Sequence, residues 1–161
     1  VAMRSLVMPA SLAITLALVL YTIGVFSERR AGRLGGRQLA LFWCGLACDT
    51  TGTTLMTMIA HSGGTGAPAI HGVTGALAIV LMLFHAVWAT VVFVRHDDGA
   101  ARTFHRLSTV VWLVWLVPYL IGLFMGIPML RFGGVQATLA SLVVVAAIAL
   151  VLWARGRAER K

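Results

Sequence analysis

The stretch HGVTGALAIVLMLFHAVWA, from His71 to Ala89, is apolar along almost its whole length, yet it contains two histidines. A helix needs about 20 mostly apolar residues to cross the hydrocarbon core of a bilayer. The stretch therefore predicts a membrane-spanning helix. Its two histidines, His71 and His85, need a separate explanation, because polar side chains are costly inside a membrane.

The rest of the chain has the same apolar character. Of its 161 residues, 60% are hydrophobic and only 11% are charged, which is more apolar surface than a soluble domain can bury. Five windows meet the length rule, at roughly 5–27, 39–60, 70–94, 104–127 and 134–154. The first lacks a cleavage signal and is too long for a signal peptide, so we expect it to be retained. The prediction is an all-α fold: one polytopic helical bundle with five transmembrane helices over residues 1–161.

Arginine is distributed unevenly between the predicted loops. The first and third loops and the C-terminal tail are rich in it, the second loop has none, and the fourth has only Arg131. The positive-inside rule then predicts an outer N-terminus and a cytoplasmic C-terminus. Basic loops that face an anionic leaflet account for the net charge of +8, so nucleic acid is not an expected partner.

The spacing of the histidines favours metal coordination. His71 and His85 are 14 residues apart, so on a helix they lie within roughly 40° of each other and about 21 Å apart along the axis. Transmembrane b-type cytochromes that stack two haems use such a spacing. In antiparallel helices, residues equally far from a turn lie at equal depth. This rule pairs His61 with His71 and His85 with His105, so each pair is a candidate for holding one haem iron. Near an interface a histidine needs no function, and this alternative stays open for all but His85.

Asp49 is the only carboxylate well inside a predicted span. It lies at the depth of His85, where it could accept the second ring N–H of a ligating histidine or relay protons. The alternative is that Asp49 serves only the specificity of helix packing. Together with Gly52, Thr53 and Met56 it forms one helical stripe, in which the glycine would admit a neighbouring helix or a flat ligand.

Further candidates for cofactor contacts follow in the third loop and the fourth span. Trp112 belongs to an aromatic group that could wall a porphyrin, although such residues usually pack or anchor helices. Arg95, Arg102 and Arg106 lie near the predicted cytoplasmic edge, and guanidinium groups match the geometry of haem propionates.

Four segments resemble the HsmA-type small membrane proteins of bacteria. They are YTIGVFSERR (21–30), FWCGLACDTTGTTLM (42–56), HGVTGALAIVLMLFHAVWA (71–89) and FHRLSTVVWLVWLVPYLIG (104–122). The resemblance covers roughly residues 12–126, and DTTGTTLM is its most distinctive part. It implies a small haem-containing membrane protein with b-type haem, in a bundle that dimerises, and it implies no substrate.

The leading functional prediction is a b-type haem-binding membrane protein for electron transfer or for redox or haem sensing, with one or two haems per chain. A quinone or another membrane redox protein is the expected partner, besides a second copy that could pack through Gly122 and Gly126. A haem-dependent oxidoreductase stays open, although no catalytic motif is present. The alternatives are a small proton-coupled transporter that uses Asp49 and His85, or a haem-free structural subunit of a membrane complex.

Overall fold

The computed structural model describes residues 2–61, 69–96, 98–127 and 129–158, with side chains except at 2–5, 69–71 and 98. Five α-helices cover most of these residues: α1 (Ala2–Ala31), α2 (Gly36–His61), α3 (Ala69–Arg95), α4 (Asp98–Gly126) and α5 (Gly134–Ala158). The predicted all-α class is confirmed.

Four of these helices, α1, α3, α4 and α5, are long and apolar enough to cross a membrane. The described chain therefore has the makeup of a multi-pass membrane protein. Helix α2 has 26 residues and a matching length, but it is less apolar than the other four.

Helices α1 and α2 form a tight antiparallel hairpin. A Cβ atom added at Gly45 would lie only 2.5 Å from the Tyr21 ring, and one added at Gly52 would overlap Ile14. The two glycines thus let the helix backbones approach each other closely, as small residues do at membrane helix interfaces.

The same short motif begins α2 and α5. Residues 33–38 read RLGGRQ and residues 131–136 read RFGGVQ. In both, the glutamine Oε1 accepts the backbone N–H of the first glycine, at 3.1 Å between Gln38 and Gly35 and at 2.8 Å between Gln136 and Gly133. This is one half of a capping box, so each motif fixes where its helix begins.

Successive helices run in opposite directions, which gathers the basic residues at one end of the bundle. The last turns of α1, α3 and α5 lie there with the first turns of α2 and α4. We call this end the arginine end; its described arginines are Arg29, Arg30, Arg33, Arg37, Arg95, Arg102, Arg106, Arg155 and Arg157. Arg131 lies at the opposite end.

The core lies between α1, α2, α3 and α4, while α5 packs mainly on α4. Large apolar side chains also cover the outside of the bundle, for example Leu12, Leu77 and Val143, which are at least 60% exposed. An apolar exterior of this kind suits contact with lipid tails.

Candidate functional site

The interior of the bundle contains polar side chains in three layers along α4. We define the edge layer as Glu28 and His105, the histidine layer as Phe42, His85, Phe104 and Ser108, and the aspartate layer as Tyr21, Asp49 and Trp115. The edge layer lies nearest the arginine end. Ser108 and Trp115 are seven residues apart, so the histidine and aspartate layers are separated by about 10 Å along α4.

The edge layer joins α1 to α4 through a contact between a carboxyl group and an imidazole. Glu28 is fully buried, and its Oε1 contacts Nδ1 of His105. The other ring nitrogen, Nε2, donates to the carbonyl oxygen of Gly32 at 3.0 Å. Gly32 has a φ of 63° and ends α1 as a left-handed C-cap. His105 therefore ties α4 to the last turn of α1.

The structure does not place His105 opposite His85. Its two ring nitrogens contact Glu28 and Gly32, while α4 presents Phe104 and Ser108 to α3 instead. Adjacent residues on a helix point about 100° apart, so His105 and Phe104 cannot face the same neighbour. Equal distance from the turn sets the level of His105 along the bundle but not the direction of its side chain.

The histidine layer encloses His85 on α3. Its imidazole is 1% exposed and lies edge-on to Phe42, at 4.6 Å between ring centroids, and stacked on Phe104 at 5.0 Å. Nε2 lies 3.0 Å from Oγ of Ser108. Nδ1 is buried and has no hydrogen-bond partner among the described residues.

These contacts favour one protonation state of His85. An imidazolium would be a buried charge, and the described contacts of His85 include no anion. In the neutral ring, a proton on Nδ1 would be a buried N–H without an acceptor, which is rare in native structures. The favoured form has the proton on Nε2, from which it is donated to Ser108, and leaves the lone pair of Nδ1 free.

The aspartate layer joins α2, α4 and α1. Asp49 is 5% exposed, and its Oδ2 accepts the indole N–H of Trp115 at 2.8 Å; Thr53 is a further hydrogen-bonding neighbour. The ring of Tyr21 packs edge-on against Trp115 at 5.0 Å, and its hydroxyl has no partner among the described residues. Within the described chain, no arginine or histidine forms an ion pair with Asp49.

The predicted stripe on α2 divides between different neighbours. Gly52 faces α1, and the methyl group of Thr53 lies toward Gly75 on α3, whereas Asp49 bonds to α4. Met56 is half-buried. The stripe therefore serves three helix contacts rather than one flat surface.

The remaining predicted site residues are dispersed. Trp112 donates its indole N–H to the Thr22 hydroxyl at 3.1 Å, so it packs between α4 and α1. His61 is exposed at the end of α2 and bonds to the Thr57 carbonyl oxygen. The side chain of His71 lies outside the described residues, as does any His61–His71 pair.

The three predicted propionate ligands, Arg95, Arg102 and Arg106, are exposed at the arginine end. The described residues include no group of three or more histidine, cysteine or acidic side chains that could hold a metal ion.

Sequence reasoning missed two functional candidates, Glu28 and Ser108. Trp115 belongs to the predicted aromatic group of the fourth span, but its pairing with Asp49 was not predicted. Glu28 was left outside the predicted interior because the first predicted span ends at residue 27, whereas α1 continues to Ala31. Gly32, four residues before the first residue of α2, was the available signal for the later end of α1. Ser108 and Trp115 lie seven residues apart on one face of α4, a spacing that the sequence shows.

Comparison of the chain with protein-family models, with curated protein sequences and with solved structures found no match.

Proposed function

We propose that the chain is a b-type haem-binding membrane protein with His85 as an axial ligand, and that it serves electron transfer or redox sensing. The observation that carries the proposal is the free, buried Nδ1 of His85. Imidazole nitrogen is a preferred ligand of haem iron, and an apolar aromatic shell controls solvent access and redox potential. The resemblance to HsmA-type proteins points the same way.

The residues around His85 fit a haem on one condition. Phe42 and Phe104 cover the imidazole, so these two rings must move aside to admit a porphyrin. Bound haem would supply one-electron chemistry at its iron. The chain itself would orient the ligand ring through Ser108, exclude water, and offer the exposed arginines Arg95, Arg102 and Arg106 to the propionates.

His105 is bonded to Glu28 and Gly32, so a second iron ligand would come from elsewhere. His71, or a residue from a second copy in a homodimer, would supply it. A quinone or another membrane redox protein is the proposed electron partner. This proposal includes α2 as the fifth span and an outer N-terminus, with the arginine end toward the cytoplasm of a bacterial inner membrane.

The test is the visible spectrum of the detergent-purified protein, oxidised and dithionite-reduced, with haem quantified per chain as the pyridine haemochrome. We expect a reduced low-spin b-type spectrum that His85→Ala abolishes. The matched control is His96→Ala, because His96 is exposed and its contacts among the described residues are with its near neighbours, the Val94 carbonyl and the Phe93 ring. A wild-type protein that stays colourless after haem supplementation would overturn the proposal.

A second candidate function is proton transfer, as in a small proton-coupled transporter. The observation that favours it is the succession of titratable groups inward from the arginine end: Glu28 with His105, then His85, then Asp49. Polar groups at such depths in membrane proteins often form proton relays. In proteoliposomes with an internal pH dye, proton uptake should then be lost in Asp49→Asn and His85→Gln and kept in His61→Gln. Uptake that is absent or unaffected by these changes argues against this function.

A further inference from the structure

Two segments of the chain match each other over a long stretch. Residues 18–41 read LVLYTIGVFSERRAGRLGGRQLAL and residues 116–139 read LVPYLIGLFMGIPMLRFGGVQATL, and eleven of these 24 aligned positions are identical without a gap. Each segment contains the second half of a helix, a connection and the start of the next helix, and the aligned glycines Gly36 and Gly134 begin α2 and α5. Such similarity at a fixed spacing, in matching elements, is the signature of a repeated unit.

The two matching hairpins, α1–α2 and α4–α5, have opposite orientations in the bundle. Successive helices alternate in direction, so α1 runs toward the arginine end and α4 runs away from it. The equivalent tyrosines Tyr21 and Tyr119 both pack on the Trp115 ring, at 5.0 and 5.6 Å between ring centroids. Because both equivalent rings contact the same side chain, the axis that relates the two hairpins passes close to Trp115, within the aspartate layer.

Asp49 lies next to this axis and at mid-depth in the bundle. It accepts the indole N–H of Trp115 at 2.8 Å, and it is 13 residues from the first residue of α2 and 12 from the last. The second hairpin has Ala147 at the equivalent position, so the carboxyl group is not duplicated. Membrane proteins with inverted repeats bind their substrates and coupling ions near the midplane, at the interface between the repeats.

The surroundings of Asp49 favour its neutral, protonated form. Asp49 is 5% exposed and forms no ion pair with a described cation, and a buried carboxylate without a counter-charge is costly. Its titratable neighbours are Tyr21 on α1 and Cys48 on α2, neither of which supplies a positive charge, and His85 on α3 lies one layer away, at about 10 Å. With Oδ2 accepting the Trp115 N–H, the proton resides on Oδ1.

The aspartate layer also has hydrogen-bonding capacity that the described contacts leave unused. The Tyr21 hydroxyl lies near Asp49, is fully buried and has no partner among the described residues. A buried polar group of this kind has room for one more donor or acceptor, such as a water molecule that carries a proton.

We propose that α1–α2 and α4–α5 form an inverted repeat and that Asp49, at its axis, is an exchangeable proton site. In the closed bundle Asp49 keeps its proton. When water enters between the hairpins, the O–H bond breaks, the proton passes to water, and the carboxylate that remains is hydrated; the reverse step reloads Asp49. As the central site of a carrier, the inference rests on the second candidate function, whereas the exchangeable proton on Asp49 does not.

The experiment measures the protonation state of Asp49 by infrared spectroscopy. The full chain is placed in lipid nanodiscs with the changes Asp97→Asn and Asp98→Asn, which leave Asp49 as the single aspartate. Aspartate labelled with carbon-13 at its side-chain carboxyl is incorporated. The C=O stretch distinguishes a protonated carboxyl from an ionised one, and the isotope shift separates Asp49 from the two glutamates.

We expect, at neutral pH, the isotope-shifted band of a protonated carboxyl, which moves again when D₂O replaces water. Asp49→Asn in the same background is the matched control and should lose the band. If that variant does not fold, the isotope shift alone still assigns the band to Asp49. A protonated, exchanging Asp49 in a protein whose proteoliposomes take up no protons would support the site and remove the transport function.

An ionised Asp49 at neutral pH would overturn the inference, as would a protonated band that never responds to D₂O. The inverted arrangement has its own test at Ala31 and Met129, which are equivalent positions in the two hairpins. Cysteines placed there should react with an impermeant maleimide from opposite sides of the membrane, and labelling of both from one side would exclude an inverted repeat.

Discussion

The contact between Glu28 and His105 shows how one residue pair can hold two helices in register. Both groups that His105 contacts are acceptors, a carboxylate and a carbonyl oxygen. Both ring nitrogens are therefore engaged, one by the buried carboxyl group of Glu28 and the other by the backbone of Gly32. Removing one partner would leave the other buried without compensation, which is costly.

We therefore expect Glu28→Gln and His105→Ala to destabilise the protein, and to do so non-additively. The double mutant should lose at least about 1 kcal/mol less than the sum of the single mutants, as coupled neighbours do. Equilibrium unfolding of the four proteins in mixed detergent gives the coupling free energy. Additive losses would mean that the two side chains do not interact.

Gly52 gives a second prediction at the residue scale. A Cβ at this position would meet Ile14 and would lie 3.0 Å from the Ala10 carbonyl oxygen, which is backbone and cannot turn away. Gly52→Ala should lower the free energy of unfolding by about 1–3 kcal/mol. Gly72→Ala is the matched control, because no atom of the described residues lies within 4 Å of its added Cβ; its effect should stay within about 0.5 kcal/mol. Equal effects at the two positions would contradict the close α1–α2 contact.

At the residue scale, the depth of a side chain in the bundle could be predicted, but the neighbouring helix that it faces could not. Because His85 and His105 are equally far from the turn between α3 and α4, they were predicted to lie at one level. The neighbour that His105 contacts, however, depends on which face α4 turns toward α3. That choice follows from packing of Phe104 against His85 and Phe42, which a single sequence does not reveal. Asp49 was recognised as an interior group, and its partner Trp115 was not.

Helix α2 shows at the element scale how polar residues are accommodated. Its outer face carries exposed threonines, and three of them donate to carbonyl oxygens one turn earlier: Thr51 to Ala47, Thr54 to Thr50 and Thr57 to Thr53, at 2.7–2.8 Å. Hydroxyls satisfied within their own helix need no water. The lower apolar content of α2 is therefore compatible with its proposed place in the bilayer.

Helix α5 is held by small residues. Ala137 and Ser141 are its fully buried positions, one turn apart, and most of its other side chains face outward. Ser141→Leu should weaken the packing of α5 on α4 and lower stability by about 1–3 kcal/mol. Val143→Leu, at a position that is 69% exposed, should change little. Thermal unfolding in detergent measures both, and a neutral Ser141→Leu would show that α5 does not depend on this contact.

Helix existence was predictable because five long apolar windows leave few alternatives. The ends of the helices were less predictable, and the differences cluster at the arginine end, where α1 ends at Ala31 rather than 27 and α2 begins at Gly36 rather than 39. At this end the apolar segment stops before the helix stops, because arginines in the last helical turn can extend their side chains to the membrane surface. The loss of Glu28 from the predicted interior follows directly from this effect.

At the scale of the whole molecule, one end of the bundle is strongly basic and the other has few charges. If the arginine end faces the cytoplasm, a cysteine at Met129 should react with a membrane-impermeant maleimide in intact cells, whereas a cysteine at Ala31 should react only after permeabilisation. Both cysteines are introduced into a protein that carries Cys44→Ser and Cys48→Ser. Met129 and Ala31, the residues they replace, are both exposed. The reverse labelling pattern would invert the proposed orientation.

The most direct test of His85 as the haem ligand replaces its imidazole with free imidazole from solution. His85→Gly should lose the low-spin haem spectrum of the purified protein, and added imidazole should restore it by entering the space that the side chain leaves. His105→Gly, matched in chemistry, should not respond to imidazole in this way, since its ring is tied to Glu28 and Gly32. A His85→Gly protein that keeps its low-spin spectrum without imidazole would contradict the assignment of His85 as the haem ligand.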